Sequence, residues 1–303
     1  MIETVKLGGR LKWYHITRPS EQDFEFLENT FHFHALDIED CRQTSQRPKI
    51  DVYDDYYFLI LNFPNFDKQN RFVKPKEVKI FWGEDYFITV GKTHWVVDNL
   101  FDEAGKQEKN GDDFEIATSD ALLYTVMEHL MTQAVYLFRT VGLELELINR
   151  ELFSSRAETV IERLSATRKN IIVLNTMFKP QLRVFNQFES GSISGFADNM
   201  EDYWGNILDY YNKIWDMTED YGELIAGLST TFDSMQTNKT NEIMKILTLI
   251  SSIVLPLTFL TGLYGMNVTL PLQEERTAFW ILLTLMVSLG VGMVVYFKKK
   301  HWM

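Results

Sequence analysis

Hydrophobic and polar positions change their pattern twice along the chain. Over the first hundred residues, short runs rich in β-branched and aromatic side chains predict strands at Arg10–Ile16, Ile50–Leu61, Glu77–Trp82 and Tyr86–Val90. Helical stretches such as Glu21–Phe31 intervene, so an α/β or α+β domain is expected. Residues 105–113 are polar and glycine-bearing and read as a linker or loop. From about Ser119 the helical pattern continues almost without pause, and the Gly/Ser stretch Glu189–Gly195 is its one obvious break. A helix from about Asp198 to Leu263 would run roughly 95–100 Å at 1.5 Å per residue. A helix of that length is stable only against partners.

The second change comes near Lys245. Ile246–Tyr264 and Thr277–Phe297 carry no charge, and each is close to the roughly 20 residues that cross a bilayer. Buried core helices would read the same way, although two such runs in succession are unusual in a soluble domain. Lys239 and Lys245 precede the first run and Lys298, Lys299 and Lys300 follow the second, while the loop between holds Glu274 and Glu275 against Arg276. The positive-inside rule then puts both chain termini in the cytoplasm and the short loop outside a cell membrane. The expected division is a cytosolic α/β domain over 1–115, a helical region with a long stalk over 116–240, and a transmembrane domain over 241–303 with spans at about 243–264 and 277–297.

Composition sharpens this reading. The average of 46% hydrophobic and 24% charged residues over 303 positions resembles a soluble protein only because nearly all the charge precedes Lys245. A net charge of −12 argues against a nucleic-acid partner. The single Cys41 forms no intrachain disulfide and suits a reducing compartment. The opening MIETVKLGGRLKWYHI has no apolar core of a secretory signal, so none is expected. His32 and His34 lack companions at zinc-ligand spacing and read as surface or packing residues. Gly91-Lys92 lacks the earlier glycine of a phosphate loop and the helix pattern that should follow it. With no nucleophile–base pair and no catalytic metal motif, neither an enzyme nor a prosthetic group is expected.

Candidate chemistry lies in the first apolar run. Asn241, Met244, Thr248, Ser251, Leu255, Thr258 and Gly262 recur at spacings of 3 and 4 and share one helix face. That face is mostly polar or small, whereas Ile250, Ile253, Leu257 and Leu260 are apolar. In lipid such a stripe faces another helix or water, which leaves a packing seam and a pore wall both open. In a pore, Met244 and Leu255 would form hydrophobic constrictions. Pro256 removes one backbone hydrogen bond in mid-span. Neither span holds an ionisable residue away from its ends, as a proton relay would require. Two helices cannot enclose a water-filled path alone, so conduction would need a symmetric ring of copies. Before the span, Asp202, Asp209, Asp216 and Glu223 recur every seven residues, with Lys213 the only base between Asp198 and Glu223. Such a stripe is either a solvated face or, in a ring, a place where divalent cations relieve repulsion.

Directly after the first span stands Tyr264-Gly265-Met266-Asn267, which resembles the signature of CorA magnesium channels at the outer end of their first membrane helix. The likeness extends through TNKTNEIMKILTLISSIVLPLTFLTGLYGMN, the basic KKKHW, and ALDIEDCRQTSQRPKIDVYDDYYFLIL further back. It implies a funnel-shaped homopentamer whose first span lines a passive Mg²⁺ pore, open also to Co²⁺ or Ni²⁺. Asn267 would form the outer ring receiving hydrated Mg²⁺, with Gly265 and Met266 shaping the entrance. Thr258 and Asn241 would give polar rings deeper in, and Glu274 and Glu275 would concentrate cations outside. The resemblance also implies feedback closure by cytosolic Mg²⁺, for which Asp202, Asp209, Asp216 and Glu223 are the candidate ligands. An ordinary helix C-terminal turn is the other reading of Asn267. Two departures bear on ion preference: the loop reads Val-Thr-Leu-Pro-Leu-Gln-Glu-Glu where the family often has Met-Pro-Glu-Leu, and Thr230 stands where aspartate is frequent, with Asp233 a turn later. A Zn²⁺ transporter of the same superfamily, with or without proton coupling, is therefore the alternative, and a non-conducting sensor or scaffold the third.

Overall fold

The computed structural model describes residues 2–67, 69, 71–110, 116–152, 157–267 and 276–302. The chain divides into two compact units, Met1–Leu228 and Ser229–Met303. Six strands form one sheet in the first: β1 (Ile2–Lys6), β2 (Lys12–Ile16), β3 (Lys49–Val52), β4 (Tyr57–Asp67), β5 (Phe72–Trp82) and β6 (Tyr86–Val90). Their order is β1-β2-β6-β5-β4-β3; β2 and β6 run parallel and every other pair antiparallel. Register puts aromatic rings face to face across strands, with Tyr57 stacked on Trp82 and Phe58 on Phe81 at centroid distances of 4.7 and 4.2 Å.

Alternation along β4 sends Phe58 and Ile60 to one side, where they pack with α1 (Glu21–Phe31) and α2 (Ala35–Arg42) around Phe24, Leu27 and Ile38. Ser20 and Asp23 cap α1 reciprocally, which fixes its start. The other side of the sheet receives α3 (Trp95–Asn110), α4 (Ser119–Glu151) and α5 (Ala157–Phe178). The α/β class expected from sequence is the one observed.

Several elements differ from their sequence pattern. Ile50–Leu61 is two strands, because Asp54-Asp55 supports a reversal closed by Tyr53 N–H donating to Tyr56 O at 3.0 Å. The supposed loop beginning at Gly105 is helical as far as Asn110, where α3 ends; residues 111–113 lie outside the described residues. A Cβ on Gly105 would make only ordinary contact with Val5 of β1, at 3.4 Å, so the helix tolerates this glycine without needing it. That same helix also supplies what Gly91-Lys92 was expected to lack behind it. The region after Ser119 breaks more than once. Helix α4 ends at Glu151 and α5 begins at Ala157, and Arg163 of α5 pairs with Glu144 of α4 at 2.8 Å. At Lys179–Gln181 a 3₁₀ turn containing Pro180 separates α5 from α6 (Leu182–Glu189). The long helix α7 spans Glu201–Tyr264, starting three residues later than its pattern because Asn199 is left-handed (φ 63°).

Buried polar side chains dock these helices on the sheet. Strand β3 pairs with β4 only as far as Ile60, which leaves an open edge beyond it. The Gln181 amide covers that edge, accepting from Asn62 N–H at 3.0 Å and donating to Asn62 O at 2.9 Å. Asn170 does the same for the start of β5, through Val73 N–H and Arg71 O. Asp120, in the first turn of α4, is fully buried and accepts from Trp82 Nε1 at 3.1 Å and from the backbone N–H groups of Phe196 and Ala197 at 2.7 Å. Gly195 (φ 70°) lies against it so closely that a Cβ would sit 2.6 Å from the Asp120 Oδ1. Burial raises the Asp120 pKa, and these donors oppose the shift. This clamp fixes the segment that leads into α7. Asp120→Ala would orphan all of these donors and is expected to cost about 2–4 kcal/mol. Thermal unfolding of the full-length protein should show the midpoint falling by about 5–10 °C; an unchanged midpoint would remove the clamp from the list of stabilising contacts.

Candidate ion pathway

The second unit contains the C-terminal part of α7 and α8 (Arg276–Lys299). Both carry windows of mean hydropathy 2.1, of which 6% and 0% of residues are buried. Buried core helices would show the opposite, so these are lipid-length helices with their apolar surface outward. Trp280, Tyr296 and Trp302 are exposed near the ends of α8, where interfacial aromatics belong.

One face of α7 packs against α8. Ile253 and Leu257 share an apolar groove with Leu283, Val287 and Val291, and a Cβ on Gly290 would lie 3.9 Å from Leu257. Leu249 is only 7% exposed. The stripe from Asn241 to Gly262 lies about half a turn around the helix from that face, at about 100° per residue. Met244 is 54% and Leu255 67% exposed; Asn241, Thr248, Thr258 and Gly262 are exposed too, and Ser251 is half-buried. The sequence left a seam and a wall open for this stripe. The structure removes one partner from the choice: the stripe does not pack on the chain's own second span.

Hydroxyl orientation adds chemistry that the spacing could not reveal. Thr248 donates its proton to Met244 O at 2.7 Å and Thr258 to Val254 O at 2.9 Å. With the proton held by the helix backbone, each oxygen offers lone pairs outward, as an acceptor suited to cations or their water shells. Thr261, absent from the stripe, is exposed and donates likewise to Thr258 O at 2.9 Å.

The helix closes where the motif begins. Gly265 N–H donates to Thr261 O at 2.9 Å and Met266 N–H to Leu263 O at 3.4 Å, so Gly265 and Met266 complete the last turn and Asn267 follows it. A Cβ on Gly265 would lie 3.0 Å from Thr261 O, which favours glycine at this tight approach. Glu274 and Glu275 lie outside the described residues.

In the first unit, Asp202, Asp209, Asp216 and Glu223 are all exposed, on the side of α7 away from buried Trp204, Ile207, Tyr211 and Ile214. Seven-residue spacing strings them along the helix, and among the described residues of one chain no three acidic, His or Cys side chains gather as a metal cluster. His34 caps α2 through its Nδ1, accepting from Leu36 N–H at 3.2 Å, and His32 is the left-handed C-cap of α1. Both have structural roles.

An α/β domain, a 64-residue helix and two lipid-length spans with one polar face define a membrane transport architecture. The chain belongs to the family described as CorA-like Mg²⁺ transporter protein, whose model matches residues 8–299. It is accordingly a divalent-cation transporter and not an enzyme. The cobalt/magnesium transport protein CorA of Thermotoga maritima is 26% identical over 294 residues, covering 96% of this chain and 83% of that one. The complete structure of the CorA magnesium transporter from Methanocaldococcus jannaschii matches with a TM-score of 0.83 at 19% identity, over 99% of this chain and 98% of its own. The cytoplasmic domain of ZntB from Vibrio parahaemolyticus matches with a TM-score of 0.62 at 15% identity, over 77% of this chain and 90% of its own, a likeness of fold alone.

Proposed function

We propose that this chain assembles as a homopentamer in the cell membrane, with both termini in the cytoplasm, and lets Mg²⁺ flow passively inward through a pore lined by α7. The observation that carries the reading is the polar face of α7 turned away from α8, with Asn267 at its outer end. Asn241, Thr248, Ser251, Thr258 and Gly262 line the path, and rings of Met244 and Leu255 narrow it. Gly265, Met266 and Asn267 form the filter. A neutral ring of amide oxygens suits an ion that gives up its water reluctantly. Glu274 and Glu275 raise the local cation concentration at the mouth. Two charges crossing about 100 mV release roughly 4–5 kcal/mol, so influx needs no ATP or proton. The Thermotoga relative's name adds Co²⁺ as a second cargo, and Ni²⁺ is a third of similar charge and size. Zn²⁺ carriage coupled to protons is less well supported, because the spans hold no ionisable relay.

Cytosolic Mg²⁺ closes the pore by binding between copies at the acidic stripe of Asp202, Asp209, Asp216 and Glu223. The stripe is spread out in one chain and can supply paired carboxylates only from a neighbour.

In liposomes with an inside-negative potential, Mg²⁺ uptake should be independent of a pH gradient and fall at least about tenfold in Asn267→Ala. Uptake of Zn²⁺ that requires the gradient, or none of any ion, would overturn the channel reading. For regulation, Asp209→Asn with Asp216→Asn should raise the internal Mg²⁺ concentration needed for half-closure by about threefold or more. Unchanged half-closure would place the regulatory metal elsewhere.

A further inference from the structure

A cavity of about 760 Å³ opens in the first unit between the end of α2 and the loop after it, strands β5 and β6, and α5. It falls within the size range of small-molecule sites. One wall, supplied by α5, is apolar, with Ile172, Val173 and Met177. The lining also carries four bases, Arg42, Lys76, Lys79 and Lys92, in a chain whose net charge is −12.

Accounting for each charge separates spent from unspent cations. Arg42 is held by Glu21 at 3.0 Å and Glu28 at 3.8 Å. Lys79 is buried and donates to Asp40 O at 2.9 Å and Gln43 O at 2.6 Å, with Glu77 at 3.4 Å. Glu77, the acid in the lining, also accepts from Gln46 N–H. Asp98, which acts on Lys76 from α3, is engaged by Thr93 and by His15 at 3.3 Å. Among the described residues, Lys76 and Lys92 have no ion pair or hydrogen bond through their ammonium groups. Both line the same cavity, and burial and then the Lys92 charge lower the Lys76 pKa. Two like charges held beside a half-apolar cavity are relieved by an anion.

Backbone geometry favours the same place. Gly91 lines the cavity in a left-handed conformation (φ 95°), with nothing within 4 Å of where its Cβ would be, so a ligand can approach the main chain there. Gly91-Lys92-Thr93 joins strand β6 to helix α3. The missing upstream glycine rules out a full phosphate loop, yet this turn presents a lysine and an open backbone to the cavity.

We propose that this cavity binds a nucleoside phosphate, its phosphate between Lys76 and Lys92 and its base against Ile172, Val173 and Met177. Asn62 and Gln46, also in the lining, offer amides for the base edge. The site lies apart from the α7 face assigned to ions, and its occupancy can be measured without any flux.

Full-length protein in detergent is titrated with AMP, inorganic phosphate and dispersed phosphatidylglycerol while thermal unfolding is followed. AMP is the probe because it carries one phosphate and chelates Mg²⁺ weakly. A saturable rise in Tm with AMP is expected. Lys92→Gln, at an exposed position, should weaken apparent AMP affinity about tenfold, and Lys76→Gln with Lys92→Gln further, with the unliganded Tm unchanged. No saturable shift with AMP, or a shift indifferent to both lysines, would overturn the site. Inorganic phosphate binding as tightly as AMP would overturn the role of the apolar wall, and a response to phosphatidylglycerol alone would overturn the soluble ligand.

Discussion

Hydrocarbon offers no hydrogen bonds, and that constraint governs the C-terminal unit. Helix α7 lacks the usual helical donor for Ser252 O, because Pro256 has no N–H to offer that carbonyl. Its side chains then divide the surface. Leu249, Ile253 and Leu257 are covered within the unit, whereas Asn241, Thr248, Thr258 and Gly262 are not. Lipid covers an exposed leucine at no cost, but an uncovered amide or hydroxyl in lipid costs free energy. Threonines lower that cost by donating to the preceding turn, and the lone pairs left over still need water, an ion or another polar group. A polar face that its own second span leaves bare is therefore a demand for company, which a ring of copies around water would meet.

The first unit follows the same rule in another solvent. Its sheet is covered on both sides, so backbone groups left at strand ends must find partners inside. Gln181, Asn170 and Asp120 meet that need with side chains carried on helices, and each thereby fixes where its helix sits. A residue such as Asp120 is costly to bury and more costly to remove, because the buried Trp82 Nε1 has no water to turn to. The segment entering α7 is consequently held by hydrogen bonds and by the absence of a Cβ at Gly195, in addition to apolar packing of Phe196 on Tyr57.

Much of this was legible in the sequence because it depends on period alone. The end of α7 at Tyr264, both spans, strand β6 and helix α1 follow from the spacing of apolar residues. What escaped depends on tertiary partners. Gly105 looked like a breaker and lies inside α3, which packs on β1 and α4; Asp54-Asp55 hid a strand reversal inside an aromatic run; residues 152–156, between α4 and α5, carry neither Gly nor Pro. Spacing alone also placed the seven stripe residues on one face, but only packing could say which way that face does not point. The carboxylate stripe from Asp202 to Glu223 was visible as a spacing, and among the described residues of one chain it gathers into no metal cluster.

The most direct test is an electron-cryomicroscopy map of the protein in lipid nanodiscs with Mg²⁺. The expected result is a symmetric ring in which Asn241, Thr248, Thr258 and Gly262 border the central axis, with density for a hydrated ion beside Asn267. An axis lined by α8, or a stripe sealed between neighbouring helices with no water-filled path, would contradict the account.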